Sequence, residues 1–133
     1  MKNLDIIKNY QHLFDKNMII KSGLGWNSII QDMCLSIDFL IDEFDDGRYD
    51  NFKITKIENN FGVLNVEYEP FDLNIKKIID FAQKISYHTC ETCGDKGKIY
   101  CSSKWLHWSN YKTLCKEHAI SYYYYEIRHP KGK

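Results

Sequence analysis

With 133 residues and a 44% hydrophobic composition, the chain is long enough to enclose one core, and a single domain spanning residues 1–133 is expected. Eighteen basic side chains balance eighteen acidic ones, which excludes whole-molecule attraction to phosphate as a binding principle. No apolar run reaches the roughly 18 residues of a membrane span, and Met1-Lys2-Asn3-Leu4-Asp5 lacks the layout of a signal peptide, so a cytoplasmic protein with no membrane partner is expected.

Leu4, Ile7, Gln11 and Phe14, with Tyr10 and Leu13 beside them, recur at helical spacing and predict a first helix over residues 3–17. Gly23-Leu24-Gly25-Trp26 ends it. Ser28 and Gln31 have the spacing of a capping box, and Trp26 just before them is placed to staple the start of a long helix. That helix has Ile30, Met33, Ile37, Leu40, Ile41 and Phe44 on one face, and Cys34 beside them is expected as a small buried hydrophobe. Its polar face carries Asp32, Asp38, Asp42 and Glu43, which is either a solvated face or an acidic patch that docks on a basic partner. Strands are predicted over residues 52–57 and 63–68, flanking the hairpin turn Glu58-Asn59-Asn60-Phe61-Gly62. Pro70 stops the second strand, and Asp72 can cap a third helix that buries Ile75, Ile78, Ile79, Ala82 and Ile85.

The third helix runs without a linker into Cys90-Glu91-Thr92-Cys93-Gly94-Asp95-Lys96-Gly97, and further on Cys115-Lys116-Glu117-His118 repeats the ligand spacing. Two pairs of thiolate or imidazole donors suit a tetrahedral zinc ion, whose bonds run about 2.0 to 2.3 Å. A lone Cys-x-x-Cys is equally a redox dithiol, but the second pair and the turn-forming Gly94 favour a structural zinc held by Cys90, Cys93, Cys115 and His118. Cys101 is the rival ligand, whereas His88 and His107 are expected as ordinary polar or core histidines. In a reducing compartment the five cysteines read as ligands plus spares, not as disulfides. Residues 98–101 and 105–108 are expected to pair as a second hairpin, and residues 115–128 to form a last helix, although the run Tyr122 to Tyr125 is β-prone. Knuckle, hairpin and helix-borne ligand pair, in that order, describe a treble-clef-like zinc finger over residues 87–133. It would dock on a helix, hairpin and helix core over residues 1–86, giving an α+β fold.

Catalysis finds little support in these residues. Asn110, Cys115 and His118 superficially match the end of a His-Asn-His nuclease motif. However, the nearest upstream histidine, His107, lies only three residues before Asn110, and Ala119 stands where a further histidine is needed. No phosphate loop or deaminase pair is present, and a zinc with four protein ligands has no open position for water. No enzyme activity, catalytic residue or small-molecule substrate is therefore expected. Binding remains. Residues 1–46 carry four lysines against eight acids, whereas residues 84–133 carry nine bases against four acids. Lys98, Lys104, Lys112 and Lys116, interleaved with Trp105 and Trp108, offer a basic and aromatic surface for RNA or DNA through phosphate contacts and stacking. Dispersed lysines without arginine imply weak, salt-sensitive binding.

Gly25-Trp26, Ile57-x-x-x-Phe61-Gly62-x-Leu64, Ser86-x-x-Thr89-Cys90-Glu91-x-Cys93-Gly94-x-x-Gly97 and Thr113-Leu114-Cys115 together resemble a pattern found in small proteins of phages, prophages and other mobile elements. The match runs from about residue 23 to residue 118. The resemblance implies a compact zinc-binding accessory protein of a mobile element with no catalytic activity. Such proteins often occlude host machinery, so the implied partner is a host protein or ribonucleoprotein, such as a CRISPR effector or another RNA-guided nuclease, that the chain inhibits or modulates. A direct RNA- or DNA-binding regulator is the alternative. Two departures from the pattern stand out: Glu58, Asn59, Asn60 and Asn65 replace basic residues around the Phe-Gly turn, and His118 takes the place of a fourth cysteine.

Overall fold

The computed structural model describes residues 3–44, 46–102 and 110–126 as a mixed α+β arrangement with two small sheets. The larger sheet is ordered β1-β2-β3, formed by β1 (Ile20–Lys21), β2 (Lys53–Asn60) and β3 (Val63–Glu69), with β1 parallel to β2 and β2 antiparallel to β3. Helices α2 (Asn27–Glu43) and α3 (Leu73–Ser86) pack against each other, and α3 also packs on β3. Trp26, Ile30, Ile37, Ile54, Ile57, Leu64 and Ile75 fill the core, each at 1% exposure or less.

Several elements follow from the expected local chemistry. The β2–β3 hairpin closes through two residues, Phe61 and Gly62, at φ of 54° and 90°, so Glu58, Asn59 and Asn60, expected in the turn, instead pair within β2 against Asn65, Leu64 and Val63. Positive φ at both central positions is the hairpin turn that matches strand twist. Asp72 caps α3 through its side chain, which accepts from the Ile75 N–H at 3.0 Å. Along α3 the buried positions are Ile75, Ile79, Ala82 and Ser86. The stripe therefore ends on Ser86, whose hydroxyl accepts from the Leu64 N–H at 3.0 Å, and the predicted Ile85 is exposed instead. Cys34 is fully buried within the helical core, as expected.

Three expectations are corrected. Helix α1 covers only Asn3–Asn9, followed by a 3-10 turn at Gln11–Leu13, and does not run to residue 17. The Asp15 N–H donates to the Ile54 carbonyl at 2.9 Å and Phe14 forms a bridge with Ile54, so pairing with a distant strand overrides the helical period. The capping box does not form: α2 grows out of a 3-10 turn at Leu24–Trp26 without any side-chain cap. Trp26 is no peripheral staple but a fully buried core residue whose indole N–H donates to the Thr89 carbonyl at 2.9 Å.

The third correction concerns the carboxyl-terminal part. Strand β4 (Lys98–Cys101) pairs with β5 (Tyr111–Leu114), and the expected partner segment 105–108 lies outside the described residues. Helix α4 is short, Lys116–Ser121, and β6 (Tyr125–Glu126) returns to pair with β4, where a helix to residue 128 was expected. Tyr123, at φ 58°, turns the chain, with Tyr123 N–H bonding the Ile120 carbonyl and Tyr124 N–H bonding the Ala119 carbonyl at 2.8 Å. This left-handed helix end is usually built with glycine. It frees the β-prone tyrosines for a strand.

Candidate metal centre

The knuckle begins where α3 ends. Thr89 bridges Lys96, the Cys90 N–H donates to the Asp95 carbonyl at 2.6 Å, and the Gly94 N–H donates to the Cys90 carbonyl at 2.9 Å. Gly94 sits at φ 85°, a conformation that lets the loop turn back on itself between the first ligand pair and β4. Cys115 stands at the N-cap position of α4, its side chain left free of any capping bond, and His118 lies in that helix, three residues on.

Cys90, Cys93, Cys115 and His118 come together with all ligand atoms within 4.8 Å of one another. Cys93 and Cys115 sulfurs are 3.8 Å apart, and the His118 Nδ1 is 3.7 Å from the Cys90 sulfur and 3.1 Å from that of Cys115. A tetrahedron with metal–sulfur bonds of about 2.3 Å has edges of about 3.8 Å, so the sulfur pair matches a tetrahedral edge. The Cys115–His118 pair is closer and would open by several tenths of an ångström around an ion. Three thiols and an imidazole, converging from a knuckle and a helix, fit a metal ion and are compatible with zinc.

The thiols are electrostatically prepared for this role. Burial pushes the Cys90 thiol up, but backbone N–H groups of Cys115, Cys93 and Thr92 directed at its sulfur outweigh burial and bring it down to about 7. The Asp95 N–H draws Cys93 down, yet burial and hydrogen bonds with the Cys90 and Cys115 thiols prevail and push it up to about 12. One thiolate thus forms readily, and further ionisation beside it is resisted until a cation supplies compensating charge.

A second set of contacts welds the knuckle to the rest of the molecule. Glu91, only 6% exposed, accepts from the Gly23 N–H at 2.9 Å and from the Asn59 carboxamide at 2.5 Å. Its backbone N–H donates to the Thr113 carbonyl at 2.8 Å and its carbonyl accepts from the Gly25 N–H at 2.7 Å. Thr113, fully buried, donates its hydroxyl to the Gly62 carbonyl at 2.6 Å, and the Asn59 side chain accepts from the Gly62 N–H at 2.8 Å. Sequence reasoning took Glu91 and Thr113 only as parts of a pattern. The signal that could have found them was a charged residue held between two closely spaced cysteines.

The other candidates fall elsewhere. Cys101 is buried with its sulfur 3.5 Å from the Tyr125 carbonyl, apart from the four-residue cluster, and His88 is an exposed residue outside it. Lys104, Trp105, His107 and Trp108 lie outside the described residues. Lys98 pairs with Glu126, and together with Lys96 and Lys116 it rims a depression of about 540 Å³ floored by Tyr100, Leu114 and Tyr124. Lys112 instead lies 5.7 Å from the ring centre of Tyr122 and 6.0 Å from that of Tyr124. It borders a second cleft with Asn59, Phe61, Asn110 and Tyr111, divided from the first by Tyr124, which lines both. Of the four lysines singled out, Lys98 and Lys116 share a face while Lys112 stands apart. No helix of the described residues is long and apolar enough to cross a membrane.

In comparisons with known proteins, no family model matches the chain, and neither does any curated protein or solved structure.

Proposed function

We propose that the chain is a non-enzymatic, zinc-stabilised binding protein. Cys90, Cys93, Cys115 and His118 hold the ion in a treble-clef-like finger, and the ordered finger presents a surface to a macromolecule. The observation that carries this reading is the four-donor cluster itself. With four protein ligands a zinc ion keeps no open position, so its contribution is folding energy, not Lewis-acid chemistry. The succession of knuckle, β4–β5 hairpin and α4 supports the treble-clef assignment. Two of the ligands ride on a loop anchored by Glu91, and the other two on the start of α4.

For the partner, the resemblance to mobile-element proteins supports a host nuclease or ribonucleoprotein, a CRISPR effector for example, which the chain inhibits or modulates. Affinity capture from a host lysate, with and without nuclease treatment, tests this. Recovery of a nuclease or ribonucleoprotein is expected, and its absence counts against the reading. Direct RNA or DNA binding is favoured instead by Lys112 beside Tyr122 and Tyr124 above a cleft of about 440 Å³. That alternative predicts an affinity that falls as salt rises and weakens on charge reversal at Lys112.

A further inference from the structure

A further apolar groove lies between α2 and α3, lined by none of the residues of the basic depressions. The groove, of about 510 Å³, is lined by Ile29, Met33, Ile78, Phe81 and Ile85, and it ends against the knuckle at Thr89 and Gly94. Asp32 stands on one wall and Lys77 on the other, and neither is in an ion pair among the described residues. Phe81, which lines the groove, has 66% of its surface exposed. A bare ring continuous with an apolar groove gives that surface something to bury.

The charges select what covers it. Asp32 is the acid on the α2 wall and Lys77 the base on the α3 wall, while Asp38 is held by His12 and Lys76 by Asp80. A single-sign ligand segment would meet attraction on one wall and repulsion on the other. A second copy of the same chain meets neither problem when the two-fold axis runs along the groove, because that operation sets each α2 wall, with its Asp32, over the α3 wall of the other copy, with its Lys77. A two-fold axis across the groove would instead stack one Asp32 wall on the other.

We propose that the α2–α3 face is an isologous interface between two copies of this chain, with the Phe81 ring of each seated in the other's groove and Asp32 facing the partner's Lys77. The interface is self-complementary in shape, a projecting ring and a groove on one surface, and in charge. It depends on neither the metal assignment nor the macromolecular partner argued above.

Sedimentation equilibrium on the full, zinc-supplemented chain tests it. A mass of twice 15.9 kDa is expected at chain concentrations up to about 0.5 mM, well above the dissociation constants of interfaces of standard size. Phe81→Glu, at an exposed position, should give the monomer with unchanged circular dichroism. Asp32→Lys or Lys77→Asp alone should each weaken dimerisation by about 5-fold or more, and the two together should restore it. Should Phe81→Glu disturb folding, the charge-swap pair decides alone. A 15.9-kDa species throughout that range, a dimer indifferent to Phe81→Glu, or charge reversals that fail to rescue each other would overturn the proposal, as would a monomer whose groove takes a foreign amphipathic peptide.

Discussion

Replacing Glu91 by Gln perturbs the joint between the cysteine knuckle and the core without changing its shape. The two carboxylate oxygens accept from the Gly23 N–H and the Asn59 carboxamide in a site only 6% exposed. Hydrogen bonds to a charged acceptor contribute about 1.5 to 3 kcal/mol each. Gln retains one acceptor, loses the charge and turns an N–H₂ group against one of the two donors. Asn59 cannot simply flip to receive it, because its own oxygen already accepts from the Gly62 N–H at 2.8 Å. The expected loss is therefore about 2 to 4 kcal/mol, or a fall in melting temperature on the order of 10 °C for a domain of this size. Urea denaturation of the zinc-supplemented protein measures it. A cycle with Asn59→Ala isolates the shared term, and a coupling energy of about 1 to 3 kcal/mol is expected. A Glu91→Gln variant within about 0.5 kcal/mol of the native chain would refute the reasoning, since surface substitutions fall in that range.

Other substitutions probe separate parts of the fold. At Gly97 an added Cβ would lie 2.7 Å from the Leu114 carbonyl oxygen, so Gly97→Ala should cost more than about 2 kcal/mol and lower metal content, which denaturation and elemental analysis would register together. Tyr123 occupies a left-handed helix end at φ 58°, and Tyr123→Gly should stabilise the chain by roughly 0.5 to 1 kcal/mol, with a lower melting temperature as the contrary result. Burial, aided by Asp38, pushes the Cys34 thiol up to about 12, so at pH 8 it should resist maleimide until the chain is unfolded in guanidinium; labelling within minutes under native conditions would show the helical core to be open there.

Local patterns were enough to locate the parts that local forces determine. The stripe of α2, the Asp72 cap of α3, the position of the β2–β3 turn and the close spacing within each of the two Cys/His pairs all rest on patterns a few residues long. What escaped depends on partners distant in sequence. The chain after Asn9 leaves the helix because Ile54, some forty residues on, offers a strand edge, and Tyr125, the last of the tyrosine run, enters β6 because β4 is there to pair with it. Residues read from sequence only as spaced motifs also take on a structural role in three dimensions. Gly25, Trp26, Gly62, Leu64, Ser86, Thr89, Glu91 and Thr113 engage one another through buried side chains and backbone hydrogen bonds around the knuckle. Those residues fasten the cysteine knuckle to the core. They say little about the surface offered to a partner, and of the lysines chosen from sequence Lys98 and Lys116 line one depression and Lys112 another.

Zinc K-edge X-ray absorption on the purified chain bears most directly on the idea that a metal organises the carboxyl-terminal third. One zinc per chain is expected, with three sulfurs at about 2.3 Å and one nitrogen at about 2.0 to 2.1 Å. A four-sulfur shell would bring Cys101 in place of His118, and purified, folded protein without stoichiometric zinc would contradict the metal-centred fold altogether.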